Sequence, residues 1–561
     1  MMKNITDNIK ADGLAISFFL VVTVIILWQL LLPGYILTLD MVFTPQLRAY
    51  LEPGSFSNLM PIKFILVVIN ALLPSWVIQK IILLSIFFCS GYLAYKFLPV
   101  PKTYGASLWA GLMYMANPFV YQRLLAGQWL VLLAYIFLPL LLHLIFCYGI
   151  KPNFQNALKL ATILFVISLC SLHFLVIGLI AGSIILIIHL SREIYSGNRS
   201  YLKNFFINTA VLGAALLIAS SFWLVPFLLN QSQSIITTID QRDFSAFATA
   251  GDPRLGTLFN VFSLYGFWAE ALAWSGYFLW PKTNFIFWLL VLAALAIVIL
   301  IGIVKTLRGQ NKIQGISFLA LTIVAAILSV GMGESIFKNI NQWIFNHFWF
   351  WSGLRDTQKF SALLVAGYAY FGGVGFFVLV EKAKKFFAKT DVVIFALMIL
   401  PVLYTYTLFG GLARQLQPVW YPASWQETVK ILEADPSEYR VLFLPWHQYL
   451  SFDFNRKLLI QNPAKDYFGP KIIQGENMEL ESIYSKNINQ EVEGVQQVLA
   501  MSGVDSTDQI IENLAKFSIK YIIFSHDLDE VSQPIDFDPA TSSKVRLVKD
   551  FGDLTIYEIM L

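Results

Sequence analysis

The sequence predicts a polytopic α-helical membrane protein with about eleven spans, followed by a soluble α/β domain at the carboxyl end. Hydrophobic residues make up 57% of the 561 residues and charged residues only 13%, whereas soluble globular chains carry about 25% charged residues. The mean hydropathy is +0.65, so most of the chain is expected to lie in lipid. Beyond residue 410 the composition becomes that of a soluble protein. We therefore predict a membrane domain over residues 1–410 and a soluble extracytoplasmic domain over residues 411–561.

Apolar runs long enough to cross a bilayer define the predicted spans. Because the first run lacks a small-residue cleavage site, we interpret it as an anchor and not as a removable signal peptide. The predicted spans are Leu14–Leu32, Trp76–Leu98, Tyr104–Val120, Gly127–Tyr148, Ala157–Ser171, His173–Leu190, Phe205–Leu229, Asn284–Val304, Ile316–Gly331, Phe360–Val380 and Val392–Phe409.

The basic loops orient these spans. The apolar stretch Leu158–Leu190 is too long for one ordinary span and too short for two full ones. Counting it as two spans, with a break around Ser171, places the basic loops Ser191–Asn204, Lys305–Lys312 and Glu381–Thr390 on the cytoplasmic side, as the positive-inside rule requires. This topology predicts a plasma-membrane protein with a cytoplasmic amino terminus and an extracytoplasmic carboxyl-terminal domain.

Two unusually short helical regions predict a cavity on the outer side. They are the Ala157–Leu190 pair and the segment Pro61–Leu73, which follows the first outer loop. Broken helices are tolerated in a membrane where protein or a water-filled cavity covers the exposed backbone groups. Dense packing inside a large bundle would explain these regions equally, so the sequence leaves both interpretations open.

The first outer loop, Pro33–Gln46, contains a single acidic residue, Asp40, in an otherwise apolar stretch close to the membrane surface. A carboxylate is costly there unless it is solvated, paired or bound to a metal. With a raised pKa it could act as a general base toward a sugar hydroxyl. The alternative is that Asp40 caps a turn or a helix, as Asp commonly does.

Further polar candidates lie in the link between the third and fourth spans, Asn117–Trp129, where Arg123 and Gln128 stand among aromatic residues. We predict that both bind substrate, together with Arg48, which follows the first outer loop. A helix break with an arginine that extends to the membrane surface would explain the same pattern.

A pair of cations precedes the tenth span. Arg355 and Lys359 are four residues apart, so on a helix they would share one face. Two cations behind the aromatic cluster Trp349–Trp351 suit the phosphate of a lipid-linked substrate. Anchoring to phospholipid head groups is the alternative.

Other features bear on function less directly. The outer loop Asn230–Thr283 is expected to form a lid or a binding surface, because such long loops are otherwise uncommon. The three cysteines lie in apolar runs without metal-ligand spacing, which predicts neither disulfides nor a zinc site. The net charge of +4 is spread over short loops, so we interpret it as a determinant of topology and expect no nucleic-acid partner.

The tail has the pattern of a small α/β domain. The first predicted strand is followed by Trp446, His447, Asp453 and Asn455, at a position where α/β sheets commonly bind ligands. The tail lacks a nucleophile elbow, a Gly-rich phosphate loop and an HExxH pattern, so substrate recognition or a structural cap is expected. The predicted tail elements are helices at Trp425–Glu433 and Gln509–Lys516 and strands at Arg440–Pro445, Lys520–Phe524 and Leu554–Ile559.

This layout resembles the GT-C glycosyltransferases, and most of all the YfhO-like bacterial membrane proteins and the arabinofuranosyltransferases of cell-envelope assembly. The segments that carry the resemblance are Leu37–Gln46, Asn117–Gln128 and Gly353–Phe360. The resemblance implies transfer of a sugar from a polyprenyl-phosphate donor to an envelope glycan or lipid acceptor, with inversion of configuration at the sugar's anomeric carbon. It also implies that membrane lipids surround the protein as partners.

By the same resemblance, Asp40 is the catalytic base, and Arg355 with Lys359 holds the donor phosphate. Many superfamily members carry two adjacent acidic residues in the first loop, but here Leu39 and Met41 flank Asp40. Whether a divalent metal ion serves as cofactor is therefore open. The candidates for a second metal ligand are Asp240, Asp243 and Asp252.

Two other functions remain open. A transporter or flippase for lipid-linked glycans would show inverted repeats with paired broken spans, and the sequence contains no convincing internal duplication. A non-catalytic scaffold for envelope assembly is the third hypothesis. Dependence of activity on Asp40 would separate the enzyme from the scaffold.

Overall fold

The computed structural model describes residues 2–50, 57–230, 239–272, 278–386, 390–477, 479–480, 483–484, 489–502, 506–528 and 537–560. Parts of the predicted lid Asn230–Thr283 and of the basic loop Glu381–Thr390 lie outside these described residues.

Helices dominate the first three quarters of the chain. In chain order they are α1 (Met2–Leu27), α2 (Met60–Asn70), α3 (Ser75–Phe97), α4 (Ala106–Met115), α5 (Pro118–Leu125), α6 (Trp129–Ile136), α7 (Leu138–Ile150), α8 (Phe154–Cys170), α9 (Leu172–Tyr195), α10 (Arg199–Leu229), α11 (Gln241–Ala246), α12 (Gly256–Phe262), α13 (Leu279–Thr283), α14 (Phe285–Arg308), α15 (Lys312–Ser329), α16 (Lys338–His347), α17 (Ser361–Phe386), α18 (Asp391–Met398), α19 (Leu400–Tyr404) and α20 (Phe409–Leu412). Short 3₁₀ segments lie between some of them, at Thr103–Gly105, Trp268–Leu272, Trp349–Leu354, Thr357–Phe360 and Tyr406–Leu408.

The chain is a multi-pass membrane protein. Within the described part, seven helical segments are long and apolar enough to cross a membrane, and an eighth results if the bent pair Asp391–Tyr404 and Tyr406–Leu412 counts as one span. Three shorter apolar helices accompany them, at Asp12–Leu27, Met60–Asn70 and Phe154–Cys170. The count of eleven spans stays a prediction, as does the orientation of the termini.

The predicted span Tyr104–Val120 is interrupted in the structure. α5 begins at Pro118 behind Asn117, whose side-chain oxygen accepts a hydrogen bond from the backbone amide of Val120 at 3.1 Å. Asparagine favours the position before a helix and proline favours its first turn, so these two residues start a new helix. This short helix carries Arg123.

The predicted break around Ser171 is confirmed. α8 ends at Cys170 and α9 begins at Leu172, and Ser171 between them has extended backbone angles. The Ser171 hydroxyl accepts a hydrogen bond from the backbone amide of Phe174 at 3.4 Å, which caps α9. Residues at this break border the cavity described below.

The helix α17 is the most buried of the long apolar helices described. It crosses α14 at two glycines, Gly302 and Gly375. A Cβ atom on Gly302 would lie under 3.0 Å from the carbonyl oxygen of Phe371, and one on Gly375 equally close to that of Val298. Small residues allow membrane helices to approach this closely, so the glycine pair fixes the position of α17 and of the segment that precedes it.

The tail adds helices α21 to α24 and strands β1 to β9. All five tail elements predicted from the sequence are found, with ends shifted by at most two residues. Two further 3₁₀ segments lie at Asp453–Asn455 and Pro539–Thr541. The elements are α21 (Ala423–Glu433), α22 (Ala464–Phe468), α23 (Gln490–Ala500), α24 (Thr507–Ala515), β1 (Arg440–Leu444), β2 (Tyr449–Ser451), β3 (Leu459–Gln461), β4 (Ile472–Ile473), β5 (Glu479–Leu480), β6 (Ile483–Tyr484), β7 (Ile519–Ser525), β8 (Val545–Asp550) and β9 (Leu554–Ile559).

Five of these strands form one mixed sheet in the order β4-β1-β7-β9-β8. β1 runs parallel to both β4 and β7, while β9 is antiparallel to β7 and β8. The pairs β2–β3 and β5–β6 form separate two-stranded antiparallel sheets.

The tail packs directly against the membrane helices. Side chains alternate between the two faces of a strand, and in β1 Leu442 and Leu444 belong to a core formed with α23 and α24. Val441 and Phe443 point to the other face, into a core that continues among the membrane helices. The tail is therefore held by a shared core, although the predicted domain boundary at residue 410 stays a prediction.

Candidate active site between the helices and the tail

A cavity of about 510 Å³ lies where the membrane helices meet the tail. Its walls come from distant parts of the chain: the first outer loop, the start of α2, the break between α8 and α9, the segment before α17, and the tail residues after β1. The break between α8 and α9 borders this cavity through Cys170–His173, and Asn58 with Leu59 borders it directly before α2, although α9 itself is long enough to cross a membrane. This agrees with the cavity interpretation of those short helices.

The first outer loop is fixed before it reaches Asp40. The backbone amide and carbonyl of Tyr35 pair with the carbonyl and amide of Val419, at 2.7 and 2.9 Å. The side-chain amide of Gln79, buried in α3, accepts from the backbone amide of Ile36 at 2.8 Å and donates to its carbonyl at 2.7 Å. These contacts attach the loop to both the tail and α3.

Asp40 lies at the tip of a tight turn between Thr38 and Met41, whose backbones exchange hydrogen bonds of 3.3 and 2.7 Å. Leu39 in this turn has a φ of +32°, which is uncommon for a residue with a branched side chain. The turn packs on Gly127, where a Cβ atom would lie under 3.0 Å from three of its backbone atoms. The sequence therefore needs glycine at 127 so that Asp40 can reach the cavity.

The Asp40 side chain is exposed to the cavity. Desolvation by the surrounding protein raises the pKa of its carboxyl group, whereas a hydrogen bond from Tyr449, the charge of Lys359 and a hydrogen bond from Gln128 act in the opposite direction. The Tyr449 hydroxyl donates to Asp40 Oδ1 at 2.8 Å. A carboxylate with a raised pKa that is also held in place is suited to accept a proton.

Arg123 lies behind the cavity wall and is completely buried. Its guanidinium group donates to both carboxylate oxygens of Asp356, with Nη2 to Oδ1 at 3.1 Å, and also to Gln358. Nη1 donates to Gln128 Oε1 at 2.7 Å. Burial alone would raise the pKa of Asp356, but the charges of Arg123 and Lys359 outweigh it and hold this pKa well below the usual range.

The cations predicted before the tenth span both line the cavity. The prediction that Arg355 and Lys359 share one face of an α-helix is wrong, because two 3₁₀ segments surround Arg355 and α17 begins only at Ser361. Lys359 Nζ lies 3.4 Å from Asp356. The Arg355 guanidinium stacks 4.4 Å from the ring centre of Phe247.

Buried nitrogen atoms at the cavity include Nη1 of Arg355 and Nε2 of His173, the second residue of α9. Neither atom has a hydrogen-bond partner among the described residues. A buried polar atom without a partner is costly. Arg355, Lys359 and His173 all line this one cavity. An anionic ligand would satisfy them.

The structure separates the six candidate residues into three groups. Asp40, Gln128, Arg355 and Lys359 line the cavity, and Arg123 supports it from behind. The structure does not bring Arg48 to the cavity wall. The Arg48 guanidinium bonds instead to Gln46 at 3.0 Å, to Tyr50 at 3.3 Å and to the carbonyl of Tyr467 at 3.2 Å.

Several cavity residues were not predicted. Asp356 directly follows a predicted cation, and His173 follows the predicted helix break, so both had a local signal. From the tail, the segment after β1 does reach the cavity, as the strand end suggested, but through Gln448 and Tyr449. Trp446 and His447, which drew attention in the sequence, do not line it. Glu476 completes the tail side of the wall.

The acidic residues of the long loop have local structural roles. Asp240 and Asp243 form a capping box at the start of α11, and Asp252 accepts hydrogen bonds from the backbone amides of Arg254 and Leu255 at 2.8 and 3.0 Å. In the described residues no group of three or more His, Cys, Asp or Glu side chains could hold a metal ion. The divalent metal ion considered from the sequence stays a prediction.

No protein-family model matches this chain, and no curated protein matches it in sequence. Among solved structures, the arabinofuranosyltransferase AftD from Mycobacteria is similar with a TM-score of 0.62 and 14% sequence identity, over 98% of this chain and 40% of that one. The archaeal oligosaccharyltransferase AglB from Archaeoglobus fulgidus, solved with an inhibitory peptide and a dolichol-phosphate, has a TM-score of 0.39 and 11% identity over 91% of this chain and 65% of its own.

The similarity to AftD shows that this chain shares the fold of the matched part of that protein. The chain spans about two fifths of the length of AftD and less than two thirds of that of AglB. The finer resemblance to YfhO-like proteins stays a prediction.

Proposed function

We propose that this protein is a membrane glycosyltransferase that transfers a sugar from a polyprenyl-phosphate donor to a glycan or lipid acceptor. The observation that carries this proposal is the grouping of one exposed carboxylate, Asp40, with two cations, Arg355 and Lys359, in one cavity of about 510 Å³. The fold that this chain shares with the matched part of AftD supports it.

In the proposed reaction Asp40 is the general base. The acceptor hydroxyl oxygen attacks the anomeric carbon of the donor while its proton passes to the Asp40 carboxylate. The bond between the anomeric carbon and the phosphate oxygen breaks, and polyprenyl phosphate leaves with the bonding electrons. Arg355 and Lys359 bind the phosphate oxygens, where negative charge develops.

The charges around the cavity suit these changes. Arg123, Arg355 and Lys359 are three cations, and ionised Asp40 and Asp356 are two anions, so one positive charge remains for a phosphodiester donor with one negative charge. After transfer Asp40 holds the proton and the leaving phosphate gains a second negative charge, so the balance is kept. Glu476, which also lines the cavity, forms an ion pair with Lys465 at 2.7 Å, and this pair adds no net charge.

The reaction is proposed to occur on the extracytoplasmic face of the plasma membrane. The carboxyl-terminal ends of α3 and α14 meet around Pro99 and Lys305, and α17 ends with Lys384 and Lys385. Lysines concentrate on the cytoplasmic side of membrane proteins, whereas the cavity and the tail lie at the start of α17. Protease cleavage of the tail in intact spheroplasts tests this orientation, and a tail cleaved only after lysis would contradict it.

Transfer of radiolabelled sugar from a panel of polyprenyl-phosphate sugars to an envelope acceptor tests the activity. We expect Asp40→Asn to lower the rate by about 10²–10⁴-fold, the usual contribution of a general base, and Arg355→Ala by about 10–100-fold, the value of a hydrogen bond to a charged group.

Matched controls are Asp453→Asn and Arg242→Ala. Asp453 is a half-exposed tail carboxylate whose ion pair with Lys457 measures 3.7 Å, and the Arg242 side chain is 78% exposed. Both controls should retain the wild-type rate. Binding of lipid-linked sugar without transfer by the wild type would contradict the enzyme and favour the transporter or scaffold hypotheses.

A further inference from the structure

The tail touches the proposed catalytic base directly. We propose that Tyr449 is a positioning residue of the reaction, through which the tail sets the orientation and the proton affinity of Asp40. This inference rests on the proposed function and extends it, because it makes the tail a part of the active site and not only a cover over it.

The backbone around Asp40 is built into the tail. β2 and β3 form a hairpin in which Leu450 faces Ile460, and Leu39 lies beside Ile460 as a parallel bridge. The Leu39 amide donates to the carbonyl of Leu459 at 3.0 Å, and the Gln461 amide donates to the Leu39 carbonyl at 2.9 Å. The residue before Asp40 thus serves as a third strand of the β2–β3 sheet.

Two side chains of the tail strengthen this connection. The Asn455 amide nitrogen donates to the carbonyl of Leu37 at 3.3 Å. Leu39 and Ile460 are both buried, with 5% and 0% exposure, so the bridge also removes apolar surface from water. Displacement of the hairpin would therefore move Asp40 with it.

Tyr449, the first residue of β2, projects from this sheet to Asp40. Its hydroxyl donates to Asp40 Oδ1 at 2.8 Å, and it lines the same cavity as Lys359 and Arg355. A hydrogen bond to a carboxylate favours its charged form. The Tyr449 hydroxyl therefore keeps Asp40 able to accept a proton in a site whose desolvation favours the protonated acid. Because Tyr449 acts through Asp40, its role is positioning.

The test removes only the hydroxyl group. Tyr449→Phe keeps the ring, and Tyr521→Phe is the matched control, because the Tyr521 hydroxyl also donates to a tail carboxylate, Asp435, at 2.8 Å. Asp435 is not among the residues that line the cavity. Folding of each variant is checked by gel filtration and thermal unfolding.

Two readouts are measured on the full chain in detergent. The first is modification of Asp40 by a water-soluble carbodiimide, to which a carboxyl group adds in its protonated form, followed across pH by mass spectrometry. The second is the pH dependence of kcat/KM for sugar transfer. We expect Tyr449→Phe to move the Asp40 midpoint and the acidic limb of the rate profile upward by about one pH unit, the value of one hydrogen bond to a charged group.

The outcomes separate this inference from the proposed function. An Asp40 midpoint that moves only in Tyr449→Phe supports the inference even if the wild type transfers no sugar, in which case the proposed function fails alone. Transfer by the wild type with an unmoved midpoint and acidic limb in Tyr449→Phe would overturn the inference and leave the function standing. An equal shift in Tyr521→Phe would overturn it as well, because the effect would then be general to the tail.

Discussion

Replacement of Arg123 by methionine is expected to destabilise the protein strongly while leaving the shape of the side chain largely intact. Arg123 is completely buried, and it is bonded to Asp356, Gln358 and Gln128. Its removal leaves the Asp356 carboxylate with one cation, Lys359, at 3.4 Å. The support behind Arg355 and Lys359 is thus lost together with the ion pair.

The magnitude follows from the burial of both partners. Their side chains are 0% and 6% exposed, and removal of one partner from a buried ion pair costs about 3–5 kcal/mol. The cation–π contact between the Arg123 guanidinium and the ring of Phe267, 4.9 Å apart, is also lost. This loss costs a further amount of about 1–2 kcal/mol. We therefore expect the free energy of unfolding to fall by about 4–7 kcal/mol.

The assay is denaturant-induced unfolding of the purified protein in mixed micelles, followed by tryptophan fluorescence. The double variant Arg123→Met/Asp356→Asn removes both charges of this pair and should recover part of the loss, because the buried Asp356 carboxylate is then no longer left without Arg123. The recovery should be only partial, because Lys359 loses its own ion pair with Asp356. The control Arg242→Met breaks the exposed ion pair with Asp240 and should have little effect. Equal stability of Arg123→Met and Arg242→Met, or no recovery in the double variant, would refute the reasoning.

Two further predictions concern the shape and the charge of the cavity. Gly127→Ala should abolish most transfer, because the added methyl group would lie under 3.0 Å from the backbone of the Asp40 turn. The control Gly213→Ala, whose methyl group meets nothing within 4 Å, should retain the wild-type rate. Equal transfer rates in the two variants would show that the turn tolerates the methyl group. His173→Asn should weaken binding of polyprenyl phosphate about tenfold, since one hydrogen bond to a charged group is lost. Competition binding with labelled lipid measures this, with the exposed His347→Asn as control, and unchanged affinity would place the phosphate elsewhere.

The helical part illustrates how far local signals reach. The break at Ser171 is predictable because capping and hydropathy act over a few residues, and the structure has it where the pattern placed it. The prediction that Arg355 and Lys359 share one helix face was wrong, because it also depended on a local pattern. Their spacing of four residues implies a regular α-helix, but the chain enters α17 through 3₁₀ segments, which pattern alone does not reveal.

The candidate site was predicted only in part. Asp40 was identifiable because a lone carboxylate in an apolar loop has a high energetic cost, and that cost is visible in the sequence. Arg123 carries a similar signal, but the sequence could not show that it is buried against Asp356, 233 residues away. Arg48 carries the same guanidinium group, but this group donates to the carbonyl of Tyr467 in the tail. The surroundings of an arginine, and not its residue type, decide its role.

The sequence by itself determined the class of the protein: a multi-pass membrane chain with an α/β tail, whose strands and helix breaks depend on short-range hydropathy and capping. Only the tertiary structure decided which charges face one cavity and what holds the proposed base. The hydrogen bond from Tyr449 to Asp40 joins residues 409 positions apart. Such a contact depends on the docking of the tail through a shared core, which no local pattern records.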